Sequence, residues 1–232
     1  MKVGRVGMLV NKLPLFNTVW IVFVKEVLCE YRTGYALATL VMFALVTLSS
    51  IGMSIAGIPL SSELTSVLLW VIIFFCAMAG LGRTFIEEEE TGTVFTLRLY
   101  FHYQGIILGK MLYNITLLVG ITCLILPLFT IFLQVEFPSW GALLPVLLLG
   151  DIGIGVVSTL MAAILKSAMG KHSLFTILTF PIVLPQFLSA INATSAVLSG
   201  RGPTISEILA MLGYDSIMIL AGYMFFEFIW HE

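Results

Sequence analysis

Long, nearly uncharged runs alternate with short polar breaks along almost the whole chain. Six runs, at 35–58, 64–82, 106–133, 140–165, 174–198 and 212–230, each match the roughly 20 residues a helix needs to cross a bilayer. The breaks carry turn residues: Pro59, Ser61 and Ser62; Gln134 to Ser139; Lys166, Lys171 and His172; and Arg201, Gly202 and Pro203 within 199–207. Ahead of the first run, Trp20, Phe23, Val24, Val27 and Leu28 recur at three- and four-residue spacing. Lys25, Glu26, Glu30 and Arg32 bound the other side. That pattern predicts a helix over 19–31 lying in the membrane interface, capped by Asn17 or Thr18. The fold class is therefore all-α: a polytopic membrane protein with an interfacial N-terminal helix and six transmembrane helices. A basic tail, 1–18, precedes a single transmembrane domain, 19–232, and no internal repeat or soluble domain interrupts it.

Composition points the same way. The chain has 232 residues, 59% hydrophobic and 10% charged, where a soluble domain carries about 25% charged residues. Mean hydropathy is +1.09. A surface this apolar needs the lipid bilayer as its solvent. The net charge of −2 gives no case for nucleic acid. Cys29, Cys76 and Cys123 have neither disulfide-framework nor metal-site spacing. Near the start, Asn11, Lys12 and Pro14 interrupt the apolar core a signal peptide would need. Ten of the eleven basic residues fall in the N-terminal segment and the second and fourth loops, with only Arg201 on the opposite side. The positive-inside rule then predicts that both termini face the cytoplasm.

The loop 83–105 is the longest polar interruption. It holds Glu87 to Glu90, then Gly92, which breaks a helix, and Thr93, which can cap the next one. Val94, Leu97, Arg98 and Phe101 follow at helical spacing. A helix this short is marginal alone, so docking on a partner should stabilise it. The expectation is a cytoplasmic coupling helix, with Phe85, Glu88, Gly92, Thr93, Val94, Leu97 and Phe101 as the residues that engage a cytosolic ATPase.

The order Phe85-x-x-Glu88-x-x-x-Gly92-Thr93, Leu97, Gly109-Lys110 and Asn114 resembles the haem exporter protein B (CcmB-like) family. The likeness continues through the stretches 147–164 and 180–194, and covers roughly 25–222. It implies an ABC-2-like permease subunit of the cytochrome c maturation system. Such a permease works with a separate ATPase subunit, a haem-handling membrane subunit and a haem chaperone, and with a second copy of itself. The implied activity is haem delivery or release of the haem-loaded chaperone, with ATP bound by the partner and haem handled by the complex. Two features depart from the family pattern: about 18 extra residues at the N-terminus, and Asp151 where a neutral residue is expected.

Rival chemistries fare worse. Gly105 to Lys110 is one residue short of a phosphate-binding loop, and Met111 stands where Ser or Thr should hold magnesium. The chain is thus expected to have no ATPase motif of its own and no enzymatic activity. An intramembrane protease built on Ser54 would need a histidine base at membrane depth. His102, His172 and His231 all lie at the cytoplasmic side, which also speaks against histidine ligation of haem on the outer side. No catalytic or metal-ligating set emerges. The alternative function is a proton-coupled secondary transporter or another ABC-2-type export permease. Its support is Asp151, in mid-span, and the fifth span, broken by Pro181 and Pro185. Against it, the chain shows no inverted repeat; Gly155, Ser158 and Ala162 form a small-residue stripe below Asp151, which suits close helix packing. Asp151 is expected to act as a hydrogen-bonding acid toward Asn114, Thr116 or Thr122.

Overall fold

The computed structural model describes residues 14–55, 60–82, 85, 97, 100–165 and 171–231. These form helices α1 (Leu15–Thr33), α2 (Tyr35–Ile55), α3 (Ser62–Leu81), α4 (Tyr103–Leu133), α5 (Trp140–Ile164), α6 (Lys171–Leu198) and α7 (Ile205–His231). Helices α2 to α7 each contain a stretch long and apolar enough to cross a membrane, and α1 does not. The chain is a polytopic all-α protein, as its periodicity and composition predict.

Local chemistry sets the helix limits. Pro14 starts α1, because a residue without an N–H costs nothing ahead of the first turn. Its carbonyl accepts from the Thr18 amide at 3.0 Å and from the Thr18 hydroxyl at 3.2 Å. The expected cap at Asn17 or Thr18 is thus displaced: both residues lie inside the helix. Gly34, with φ +60°, ends α1 in the left-handed conformation that glycine adopts at least cost. The next helix starts at once. Glu30 Oε1 accepts from the Leu37 amide at 2.8 Å and Oε2 from the Ala36 amide at 3.4 Å, placing a carboxylate on the N-terminus of α2.

The last helix begins seven residues earlier than its apolar run. Gly200 and Gly202, both at φ +75°, turn the chain. Glu207 then accepts from the Thr204 amide at 2.8 Å, half of a capping box. Helix α6 runs through Pro181 and Pro185 without a break, so the expected interruption is corrected. Tyr214 of α7 donates its hydroxyl to the Ile182 carbonyl beside these prolines. Proline is tolerated inside a membrane helix where neighbouring helices and small local adjustments take up the freed backbone groups.

Helix α5 is the axis of the bundle, enclosed by α3, α4, α6 and α7, while α2 and α7 present most surface outward. Helix α1 lies along the first turns of α4. Its exposed face carries Phe16, Trp20, Leu28 and Tyr31. That is the apolar face predicted for an interfacial helix. The opposite face is not the solvated polar side that the sequence suggests: Thr18, Val22 and Glu26 are buried against α4.

Candidate functional site

Where α1 meets α4, two glycines make the contact close. A Cβ on Gly109 would lie 2.8 Å from Val22 Cβ and 2.9 Å from the Val19 carbonyl oxygen. A Cβ on Gly105 would lie 2.5 Å from Thr18 Cγ2. Gly105 and Gly109 are four residues apart, on one face of α4, and receive Thr18 and Val22, four apart on α1. This is small-xxx-small packing, the device that lets membrane helices approach at backbone distance. The sequence fragment that fails as a phosphate loop is thus a seat for a helix.

Just beyond this seat each helix carries charge. Lys110 is fully buried, and its Nζ donates to Glu26 Oε1 at 2.8 Å. Lys25 Nζ reaches the same oxygen at 3.1 Å. Burial by itself pushes the Glu26 carboxyl up. The charges of Lys110 and Lys25, with the hydrogen bonds from both, outweigh it and hold the carboxyl below its ordinary value. One turn further on, Tyr113 of α4 donates to Glu30 Oε2 at 3.4 Å. Glu26 and Glu30 therefore tie α1 to α4 at two levels, and Glu30 also caps α2.

Described residues of the loop 83–105 pack at this joint. Phe85 is 2% exposed. Lys110 Nζ sits 4.7 Å from the centre of its ring, within cation–π range. The same ring lies 5.8 Å from that of Phe226 on α7. Leu97 is buried in the hydrophobic core and its carbonyl accepts from the Phe101 amide at 3.1 Å. Tyr100 is exposed and Phe101 half-buried. Phe85 and Leu97, two of the expected coupling residues, are thus packed in the chain's own core. The expected coupling residues Glu88, Gly92, Thr93 and Val94 lie outside the described residues, as do Glu87 to Glu90 as a group and Arg98.

The intramembrane residues fall around α5. Asp151 is 1% exposed, and Thr122 of α4 donates to its Oδ1 at 3.1 Å. The other two expected partners are engaged elsewhere. Asn114 Nδ2 donates to Thr159 Oγ1 at 2.8 Å, and Thr116, on the outer face of α4, donates to its own Leu112 carbonyl. Gly155 abuts Ile115, where an added Cβ would come 3.0 Å from Cγ1. Ser158 and Ala162 are buried on the same helix. Pro181 and Pro185 have exposed ring faces on α6. Four contributors escape the sequence reading: Lys110 as the partner of Glu26, Gln186, Asp215, and the glycine seat. Only the seat had a local signal, the Gly105-x-x-x-Gly109 spacing.

Among the described residues no cluster of three or more His, Cys, Asp or Glu could hold a metal ion. No curated protein matches the chain. A family model described as CcmB protein matches residues 17–225.

Proposed function

The chain belongs to the CcmB, or haem exporter protein B, family, a membrane component of a haem-export and cytochrome c maturation ABC system, and from that premise we propose that it is the permease subunit through which a separate ATPase acts. It sits in the inner membrane with both termini in the cytoplasm, and the loop 83–105 takes the stroke from the ATPase. Tyr100 and Phe101 contact the ATPase groove, the glutamate run adds an electrostatic address, and Leu97 and Phe85 pass the displacement inward. A second copy of the chain, a haem-handling membrane subunit and a haem chaperone complete the assembly. The work done is haem delivery or release of the loaded chaperone.

One observation carries this reading: the buried contact chain from Phe85 through Lys110 to Glu26. A loop that merely kept the topology would not need an aromatic ring stacked on a buried ion pair. Because the pair joins α4 to α1, a push on Phe85 moves the interfacial helix and the third candidate span together. Tight packing makes such a joint move as a block instead of yielding locally.

Two experiments test it. The chain is co-purified with the ATPase of its transport system, as wild type and as Tyr100→Asp/Phe101→Asp. Loss of the ATPase from the double variant is expected, and retention overturns the docking assignment. Orientation is read by cysteine labelling in sealed cells. Cysteines at Ser61, Ser139 and Gly202 should label from outside and those at Glu89 and Ser167 should not. Outside labelling at Glu89 overturns the topology.

A further inference from the structure

Halfway along α7, Asp215 is 4% exposed and faces α5 and α6. The point that a Cβ on Gly153 would occupy lies 2.7 Å from Asp215 Oδ1. The same point lies 2.6 Å from Gln186 Cγ and 2.8 Å from Gln186 Cδ. The missing side chain of Gly153 is thus what lets a carboxyl group and a carboxamide from two other helices meet. Gln186 is 1% exposed and donates its Nε2 to the Leu149 carbonyl at 2.9 Å. With the nitrogen committed to α5, Oε1 remains. Among the described residues, Gln186 Oε1 and both carboxyl oxygens of Asp215 meet no donor. Three buried acceptor atoms without a donor therefore belong to two side chains that meet at Gly153. Buried polar groups are almost always paired, because an unpaired one loses its hydration without return. An ionised carboxylate in such a place is the costliest version.

We propose that Asp215 is a proton-binding site. A proton taken from water attaches to a carboxyl oxygen of Asp215. No bond in the protein breaks and no electron moves. Asp215 becomes a donor, and Gln186 Oε1 is the unpaired acceptor on the side chain it meets at Gly153. The resulting Asp215–Gln186 hydrogen bond latches α7 to the proline-containing helix α6, beside the Tyr214 bond to the Ile182 carbonyl. Without the proton, a charged carboxylate opposes a carboxamide oxygen, which favours separation of α7 from α6. The other ionisable groups on the surrounding helices are committed elsewhere. On α5, Asp151 turns to Thr122 of α4. On α4, Lys110 is paired with Glu26. On α7 itself the neighbouring Tyr214 donates to Ile182, and on α6 Gln186 carries no charge. The proton thus gives α7 two states that differ in how tightly it holds the bundle.

Infrared spectroscopy of the full chain tests this. An Asp151→Asn background removes the other mid-span acid. In that background at pH 7, a protonated-carboxyl carbonyl band is expected, shifted by ¹³C-labelled aspartate and lost in Asp215→Asn. Gln186→Leu should move the same band to the higher frequency of an acid without a hydrogen-bond acceptor. If Asp215→Asn does not fold, the labelled band and its shift in Gln186→Leu decide alone. Absence of the labelled band at pH 7, or a band that Gln186→Leu leaves in place, overturns the proposal.

Discussion

Lys110 and Glu26 stand 84 positions apart in sequence and 2.8 Å apart in space, with the lysine wholly buried. Desolvating both charges offsets much of their attraction, so the pair as a whole adds little net stability. Breaking it is another matter, because each partner would leave a buried charge behind. Glu26→Gln or Lys110→Met alone should destabilise the chain by about 3–5 kcal/mol. The loss should fall toward the low end for Lys110→Met, since Lys25 still reaches Glu26. The double variant should recover a large part of the loss. Thermal unfolding of all four forms in one detergent measures the coupling, and simple additivity of the two single losses would deny that the pair is one unit.

The same carboxylate predicts a pH dependence. Glu26 titrates below its ordinary value of 4.5 in the folded chain, where burial is outweighed by the two lysines. A depressed carboxyl contributes stability that is complete above its unfolded value and is lost as pH falls through the folded one. The melting temperature should therefore drop as pH is lowered from 4.5, and Glu26→Gln should flatten that limb. An unchanged acid limb in Glu26→Gln would assign the acid sensitivity to other groups.

Glycine positions supply a matched comparison. Gly109 faces Val22 and the Val19 carbonyl, both under 3.0 Å from a would-be Cβ, whereas nothing lies within 4 Å of that point on Gly120 of the same helix. Gly109→Ala should force α1 off its seat, at about 1–3 kcal/mol. Gly120→Ala should be neutral or stabilising by up to about 1 kcal/mol, because alanine costs less backbone entropy in a helix. Proteolysis near Pro14 together with thermal unfolding separates the two. Equal behaviour of the variants would mean that α1 is not packed at backbone distance.

Much of this architecture is legible in the chain. Six spans and an interfacial helix follow from apolar run length and from the spacing of Trp20, Phe23, Val27 and Leu28, which are local properties. What escapes is pairing at a distance. Nothing near Glu26 indicates that Lys110 will meet it, and a charged residue on an amphipathic helix reads as solvated. Gly105 and Gly109 invite comparison with a phosphate loop until α1 is laid across them. The start of α7 hides behind Gly202 and Pro203, although Thr204 and Glu207 have capping-box spacing. Asp215 and Gln186 are single polar residues in apolar runs, and only the absence of a side chain at Gly153 brings them together.

Asp151 offers the sharpest separation between packing and transport chemistry. Its Oδ1 accepts from Thr122 at 3.1 Å across the α4–α5 contact, and Gly155 lets α4 approach one turn away. If that bond is the residue's purpose, an amide serves as well as an acid, because Asn also offers Oδ1 to the Thr122 hydroxyl. On the function proposed above, Asp151→Asn should keep full assembly and full release of the haem-loaded chaperone. Asp151→Leu removes the acceptor. Hydrogen bonds between membrane helices average about 0.6 kcal/mol and reach roughly 1.7, so a modest fall in complex yield and melting temperature is expected. Thr122→Val should match Asp151→Leu within that range, and the two together should be no worse than either alone. Complete assembly with abolished release in Asp151→Asn would instead require a proton that comes and goes at Asp151, and would move that residue from the packing of α4 and α5 to the transport step.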